Sequence, residues 1–287
     1  MSLHSTSARA LDAVSQLMEG FRHRYPPSEL ARLEECLRIN FGGAPLPELP
    51  TYQRPNLFFF PGLTRTPYVD PLEHVTLREA VEKLERAAPR LREEYLKVVT
   101  PEDLRPYLDE HPDRFAHLRA QDWGTFYLQA KGGERIAESC VRSPQSAALL
   151  DELEPYMSPG GAFLFSVIAP GVSVPPHHDS ANFKLTCHLG LIIPPDCAIR
   201  VGGETRVWEE GHCVVFDDTF QHEVWNRSDQ PRVCLIVDLW HPLLTAVERE
   251  VIATLAPIVG EHVMQGFLPT WAVDSIGSSS SAAGGGA

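Results

Sequence analysis

Apolar residues recur at three- and four-residue steps in two early parts of the chain and again near its end. ARALDAVSQLMEGFRHRY, a break at Pro26-Pro27-Ser28, and ELARLEECLRINF predict two helices within residues 5–40, with Ser28 as the N-cap of the second. PLEHVTLREAVEKLERAAPRLREEYLKVV (71–99) keeps the same period and predicts a long helix. SPQSAALLDELEPY (143–156) predicts a helix opened by its Ser-Pro start, and LTAVEREVIATLAPIV (244–259) predicts a last one. NLFFFPGL (56–63) and WGTFYLQA (123–130) have the apolar and aromatic content of strands. From residue 162 the pattern becomes a series of short β-rich runs: AFLFSVIAP, FKLTCHLGLIIP, AIRV, TRVWEE, HCVVFD, HEVWNRS and RVCLIVDLW, separated by Pro, Gly, Asn and Asp. Short strands at even spacing with turn residues between them predict an all-β sandwich or barrel, so the expected fold is mainly β with flanking helices.

GGAPLPELPTYQRP is rich in Pro and Gly. Residues 1–50 therefore read as a helical cap and linker, 51–272 as the main domain, and the Ser/Gly/Ala-rich 273–287 as a disordered tail. The chain has 287 residues, 43% hydrophobic and 22% charged, which is enough to bury a full core. Its net charge of −13 disfavours a general binder of nucleic acid or anionic membrane, because phosphate affinity needs clustered Lys and Arg, and leaves room for a small basic pocket. The amphipathic N-terminal stretch has no apolar signal-peptide core, and no run approaches the length of a membrane span. Cys36, Cys140, Cys187, Cys197, Cys213 and Cys234 include no C-x-x-C pair, and several lie in apolar runs. This predicts reduced thiols and a cytoplasmic protein.

The candidate chemistry lies in PPHHDSANFKLTCHLGL (175–191). His177-x-Asp179 is followed, in FDDTFQHEVW, by His222, and then by Arg232 at the start of a strand-like run. Two imidazoles and one carboxylate on one face of an ion, with the other positions open, is the arrangement of non-haem Fe(II) oxygenases. Alternate residues of an extended chain point the same way, so His177 and Asp179 can converge while His178 points elsewhere. Arg232 suits the far carboxylate of a keto acid such as 2-oxoglutarate, which a guanidinium fork binds at roughly 1.5–3 kcal/mol. His-x-Asp taken alone is better read as a polar turn, with Asp179 bonding its own backbone; the distant His222 and Arg232 within short strands turn the reading towards a metal. No G-x-S-x-G elbow supports a serine hydrolase, and zinc also accepts two His and a carboxylate.

Residues from about 50 to 255 resemble the aspartyl/asparaginyl β-hydroxylase family of Fe(II)- and 2-oxoglutarate-dependent oxygenases. The resemblance rests on RPNLFFFPGL, FSVIAPGVSVPPHHDSANFKLTCHLGLIIP, ETRVWEEGHCVVFDDTFQHEVWN and LIVDLWHP. It implies a double-stranded β-helix core, a cupin-like jelly roll, for the 51–272 domain. It implies His177 and His222 as iron ligands, Arg232 and Ser166 on the remote carboxylate of 2-oxoglutarate, and His188 near the metal-bound end of that co-substrate. Asp179 would complete the triad, where the vertebrate peptide hydroxylase has no carboxylate and bacterial branches do. That enzyme grips an acidic side chain with basic wall residues; the matching positions here read Leu164, Lys184 and Thr186, and only Lys184 is basic. Lys184, Asn182, Trp123 and Arg119 are the candidate substrate contacts. For His188 a core histidine, for Trp123 a core aromatic and for Arg119 a solvated helix end are the competing readings. Asp217 and Asp218 read as groups of the turn that orients His222.

The function so implied is an oxygenase using Fe(II), 2-oxoglutarate and O₂ to hydroxylate an unactivated C–H. The family substrate is the β-carbon of Asp or Asn, or a related amino acid in a peptide or natural-product precursor. A free amino acid such as proline, or an acyl chain, is the alternative. A zinc-dependent hydrolase and a non-catalytic sensor on the same barrel are readings from other classes. The expected partner is a small-molecule or peptide substrate, not nucleic acid or membrane; oligomeric state is not legible.

Overall fold

The computed structural model describes residues 3–107, 115 and 117–264. The strands are β1 (Arg105–Pro106), β2 (Trp123–Gln129), β3 (Phe163–Ile168), β4 (Ser173–His177), β5 (Lys184–Ile192), β6 (Cys197–Val201), β7 (Glu204–Arg206), β8 (Cys213–Phe216), β9 (His222–Asn226) and β10 (Arg232–Trp240). They form a six-stranded sheet in the order β1-β2-β3-β10-β5-β8 and a four-stranded sheet in the order β4-β9-β6-β7. Every pairing is antiparallel. From β3 onward the chain passes back and forth between the sheets: β3, β5, β8 and β10 belong to the larger, β4, β6, β7 and β9 to the smaller. This is a double-stranded β-helix, the jelly roll expected from the sequence.

Strand alternation gives the larger sheet two different faces. On the outer face Phe163, Phe165, Leu185, Cys187, Leu235 and Val237 join one apolar core. That core is closed by α3 (Val75–Val98) and α5 (Pro144–Leu153), reached just after the short α4 (Ala137–Arg142). Leu77, Ala80, Val81, Leu84, Ala88 and Leu91 place one stripe of α3 on the sheet. The inner face of the same strands carries Ser166, Lys184, Thr186, His188, Arg232 and Asp238, turned towards the smaller sheet. A second helical layer covers one side of the barrel. Here α1 (Leu3–Arg24) and α2 (Pro27–Asn40) pack against α6 (Ala246–Met264) through Met18, Phe21, Leu30, Leu33, Val251 and Leu255.

Several elements differ from the sequence expectation. Residues 56–63 are not a strand but run through bends into a turn at Pro61-Gly62; a single bridge joins Phe58 to Ala181. Side-chain amides take the place of a neighbouring strand. Asn182 accepts from Phe60 N–H (2.7 Å) and donates to its carbonyl (2.8 Å), and Asn40 pairs the same way with Phe59. β4 went unread because SVPPH holds Pro175 and Pro176; it is an edge strand, where a missing N–H is tolerated. β1 and α4 were not anticipated either. Ser28 is not the cap of α2: that helix begins at Pro27, whose missing N–H suits the first helical position. α5 is capped from outside itself. Glu94 of α3 accepts the N–H groups of Gln145 (2.8 Å) and Ser146 (2.9 Å), placing a carboxylate at a helix N-terminus. The expected tail, 273–287, and the end of the expected main domain lie outside the described residues. All six cysteines are free thiols.

His241, just past β10, is fully buried; it accepts from Leu243 N–H through Nδ1 and shares a 2.8 Å bond with Thr64 through Nε2. Burial, reinforced by His74, Arg32 and Arg249, lowers its pKa from 6.5 to about 3. The folded protein thus holds His241 neutral where the unfolded chain would be protonated. Stability contributed by this group is present above pH 6.5 and is lost as pH falls towards 3, at up to about 1.4 kcal/mol per pH unit. Urea unfolding at pH 7, 6 and 5 should show a shallower acid slope in His241→Gln than in the parent. Equal slopes would contradict the assignment.

Candidate metal centre

β4 ends at His177 and β9 begins at His222, and the two are register partners across the smaller sheet. Their rings lie 4.0 Å apart between centroids. Each ring has its Nδ1 against the carbonyl two residues before it: His177 on Pro175 O at 2.8 Å, His222 on Phe220 O at 2.9 Å. A carbonyl only accepts, so Nδ1 carries a proton, and in the neutral ring that leaves the lone pair on Nε2, the tautomer that ligates a metal. Asp179 follows two residues beyond His177, with Oδ2 at 3.9 Å from His222 Nε2. One ligand atom from each of His177, Asp179 and His222 lies within 4.8 Å of the others. Two imidazoles and a carboxylate on one side, open on the other, suit Fe(II), and the donor types also suit zinc.

The loop carrying Asp179 is held from two sides. Asp179 N–H donates to Asp218 O (2.8 Å) and its carbonyl accepts from Asn56 N–H (3.1 Å). Leu57 and Phe58 N–H both donate to Ser180 O, at 2.9 and 3.0 Å. Residues 56–58 thus fix the loop that carries Asp179. His178 turns away and bonds Thr219 O at 3.0 Å.

The triad opens on a cavity of about 990 Å³. Arg232 lines it and is 1% exposed, the largest fully buried side chain among the described residues. Its Nε and Nη1 have no hydrogen-bond partner. The guanidinium lies 4.7 Å from the Trp208 ring centroid, a cation–π contact. A buried cation without an anion costs several kcal/mol, so a cation in this setting fits an anionic ligand. Ser166, also in the lining, accepts from Trp123 Nε1 at 3.1 Å. His188 lies between Trp208 and Phe216, 6.0 and 4.9 Å from their ring centroids. Burial, with the charge of Arg232, pushes its pKa well below 6.5 and keeps it neutral.

Lys184 occupies the part of the lining next to Asp179. It forms ion pairs with Asp218 and with Asp238 (3.0 Å), and Thr186 donates to Asp218 at 2.8 Å. Desolvation opposes the ammonium, but Asp218, Asp238 and Asp179 outweigh it and raise the Lys184 pKa.

The structure therefore brings His177, Asp179, His222, Arg232, Ser166, His188, Lys184 and Trp123 to one cavity. It does not bring two of the expected contacts there. Asn182 is used up on Phe60, and Arg119 is exposed and paired with Asp122. Asp217 and Asp218 do not touch the His222 ring: Asp217 closes the turn through Thr219 N–H (2.9 Å) and takes Gln53 (3.0 Å), while Asp218 serves Lys184. Three further rings contribute. Trp208, whose sequence setting reads as core or rim, supports Arg232, Phe115 meets the His177 ring edge-on at 5.2 Å, and Tyr107 stacks on Trp123 at 3.9 Å. Their aromatic character was visible, but only folding reveals which ring they face.

Residues 85–242 match the family model for aspartyl/asparaginyl beta-hydroxylase. The chain is 31% identical over 250 residues to aspartate beta-hydroxylase domain-containing protein 2 of Xenopus tropicalis, covering 83% of this chain and 64% of that protein. It is 36% identical over 204 residues to aspartyl/asparaginyl beta-hydroxylase of Mus musculus, covering 68% of this chain and 26% of that protein. The matches thus span less than two thirds of the length of either relative. A solved cupin 2 conserved barrel domain protein from Salinispora arenicola superposes with a TM-score of 0.24 at 18% identity, over 34% of this chain and 71% of that one.

Protein reconstituted with Fe(II) without oxygen should hold about one ion per chain by elemental analysis. His222→Ala should lose it while keeping the far-ultraviolet circular dichroism of the parent. A folded His222→Ala chain that retained stoichiometric iron would remove His222 from the site.

Proposed function

The chain belongs to the aspartyl/asparaginyl β-hydroxylase family, and from that premise we propose that it is an Fe(II)- and 2-oxoglutarate-dependent dioxygenase. Its reaction would be hydroxylation of an unactivated C–H, at the β-carbon of Asp or Asn as at family level, or of a related amino acid in a peptide or small molecule. His177, Asp179 and His222 would hold the iron. The observation that carries the reading is Arg232, a buried guanidinium with two unpartnered nitrogens lining the same cavity as the triad. A dicarboxylic co-substrate explains a cation there; a zinc hydrolase on the same barrel would have no use for it.

Held by His177, Asp179 and His222, iron with 2-oxoglutarate and O₂ would supply the oxidising power for turning C–H into C–OH, with succinate and CO₂ as co-products. The chain's residues supply position and environment. The Pro175 and Phe220 carbonyls hold the His177 and His222 rings with Nε2 presented. The Asn56 and Asp218 backbone groups hold Asp179 in place. Arg232, supported by Trp208, would take the remote carboxylate, with Ser166 beside it. Neutral His188 adds a polar edge without a second charge. Phe216, Val224, Leu164 and Ile168 exclude water from the rest of the wall.

Succinate formation should require added 2-oxoglutarate, and Arg232→Ala should raise the concentration needed by about tenfold or more. Iron content should stay unchanged in that variant. An unaltered 2-oxoglutarate requirement would take Arg232 out of co-substrate binding.

A further inference from the structure

The turn at residues 217–220, between β8 and β9, gives three successive carbonyls to the metal site. Asp218 O accepts from Asp179 N–H (2.8 Å), Thr219 O from His178 Nδ1 (3.0 Å) and Phe220 O from His222 Nδ1 (2.9 Å). Two of the three candidate ligands, Asp179 and His222, thus take their orientation from one turn.

That turn is pinned from two directions. Residues 52–54 hold one side: Gln53 Nε2 donates to Asp217 Oδ2 (3.0 Å) and Thr219 Oγ1 (3.2 Å), and Arg54 N–H donates to Thr219 O (2.8 Å). From the cavity the turn is held through the Asp218 side chain, whose Oδ2 accepts from Lys184 Nζ and from Thr186 Oγ1 (2.8 Å). Lys184 Nζ also meets Asp238 Oδ1 (3.0 Å) and Thr186 Oγ1 (3.3 Å). Three acceptors match the three donors of an ammonium, so Lys184 is fully engaged within the protein although it lies in the cavity lining. Asp238 is fixed in turn by Ala162 N–H on Oδ2 (3.0 Å). A chain of bonds therefore runs from β10 and β5 through Asp218 to the backbone of Asp179.

We propose that Lys184, together with Thr186, is a positioning residue of the metal centre: it holds the 217–220 turn through the Asp218 side chain, so that the Asp218 carbonyl presents Asp179 to the ion. This rests on the triad holding a metal and not on the oxygenase reading. Groups that hold a ligand in this indirect way change metal affinity by about 10–100-fold. A bare charge would act in the opposite sense. Lys184 is close enough to Asp179 to feel its charge, and removing an ammonium beside a divalent ion should tighten binding. The sign of the change therefore separates a positioning group from a bystander.

The test titrates Co(II), without 2-oxoglutarate, into the full chain and reads the visible absorption of the bound ion. The variants are Lys184→Met, Asp179→Ala and the double variant carrying both. Lys184→Met should weaken Co(II) binding about tenfold or more and move the absorption band towards that of Asp179→Ala. In the Asp179→Ala background, Lys184→Met should change affinity by no more than about twofold, because its effect passes through Asp179. Equal or tighter binding by a folded Lys184→Met chain overturns the proposal, and so does a full further loss in the double variant. If Lys184→Met does not fold, Thr186→Val, which removes the other donor to Asp218 Oδ2, decides by the same two comparisons. A parent chain that binds no Co(II) overturns the metal centre and this role together. Succinate production is read separately: its absence counts against the oxygenase reading and leaves the positioning result standing.

Discussion

β5 and β10 pair through the middle of the larger sheet, and the register of that pair determines what both faces can be. Leu185, Cys187, Leu235 and Val237 go to the helices; Lys184, Thr186, His188, Arg232 and Asp238 go to the cavity. A slip of one residue would exchange these sets, driving charged groups into the α3 interface. The apolar packing of α3 and α5 is therefore what fixes the polar wall. Stability and site geometry derive from the same strand register, and α3 stabilises the site without touching it.

The second sheet adds the metal donors to that wall. A cross-strand pair, His177 with His222, places two imidazoles side by side at a strand end, where the chain can turn and deliver Asp179. The ring orientations are set by backbone carbonyls rather than by acidic side chains. That leaves the nearby carboxylates for other work: Asp217 shapes the turn and Asp218 faces Lys184. Arg232 is held by the Trp208 face instead of an ion pair, which keeps part of its hydrogen-bonding capacity uncommitted. The cavity thus combines a pre-set donor triad with a buried cation, both fixed by backbone and ring contacts.

Most of the strands could be read from the sequence because Gly, Pro, Asn and Asp interrupt short β-rich runs, and the family resemblance supplied their jelly-roll order. The candidate triad could be picked out because His-x-Asp and a distant His define a pattern of donors, and the fold brings those donors together. Where reading failed, the cause was partnership over long range. Residues 56–63 have strand composition, but the amides of Asn40 and Asn182 occupy their hydrogen bonds. Asn182 looked available for a ligand for the same reason. Pro175 and Pro176 argued against β4, yet an edge position needs no donor there. Lys184 read as a remaining basic contact; only the fold shows that Asp218 and Asp238 have already claimed it.

The central claim is that His177, Asp179 and His222 hold iron in the same cavity in which Arg232 holds a keto acid. The most direct measurement is the visible spectrum of oxygen-free protein as Fe(II) and then 2-oxoglutarate are added. A weak charge-transfer band that needs both additions, and that bleaches as oxygen is admitted, is the result expected of a keto acid bound at iron on this triad. No band under those conditions, with zinc tightly held by the protein, would contradict it and leave the barrel with a different metal and a different chemistry.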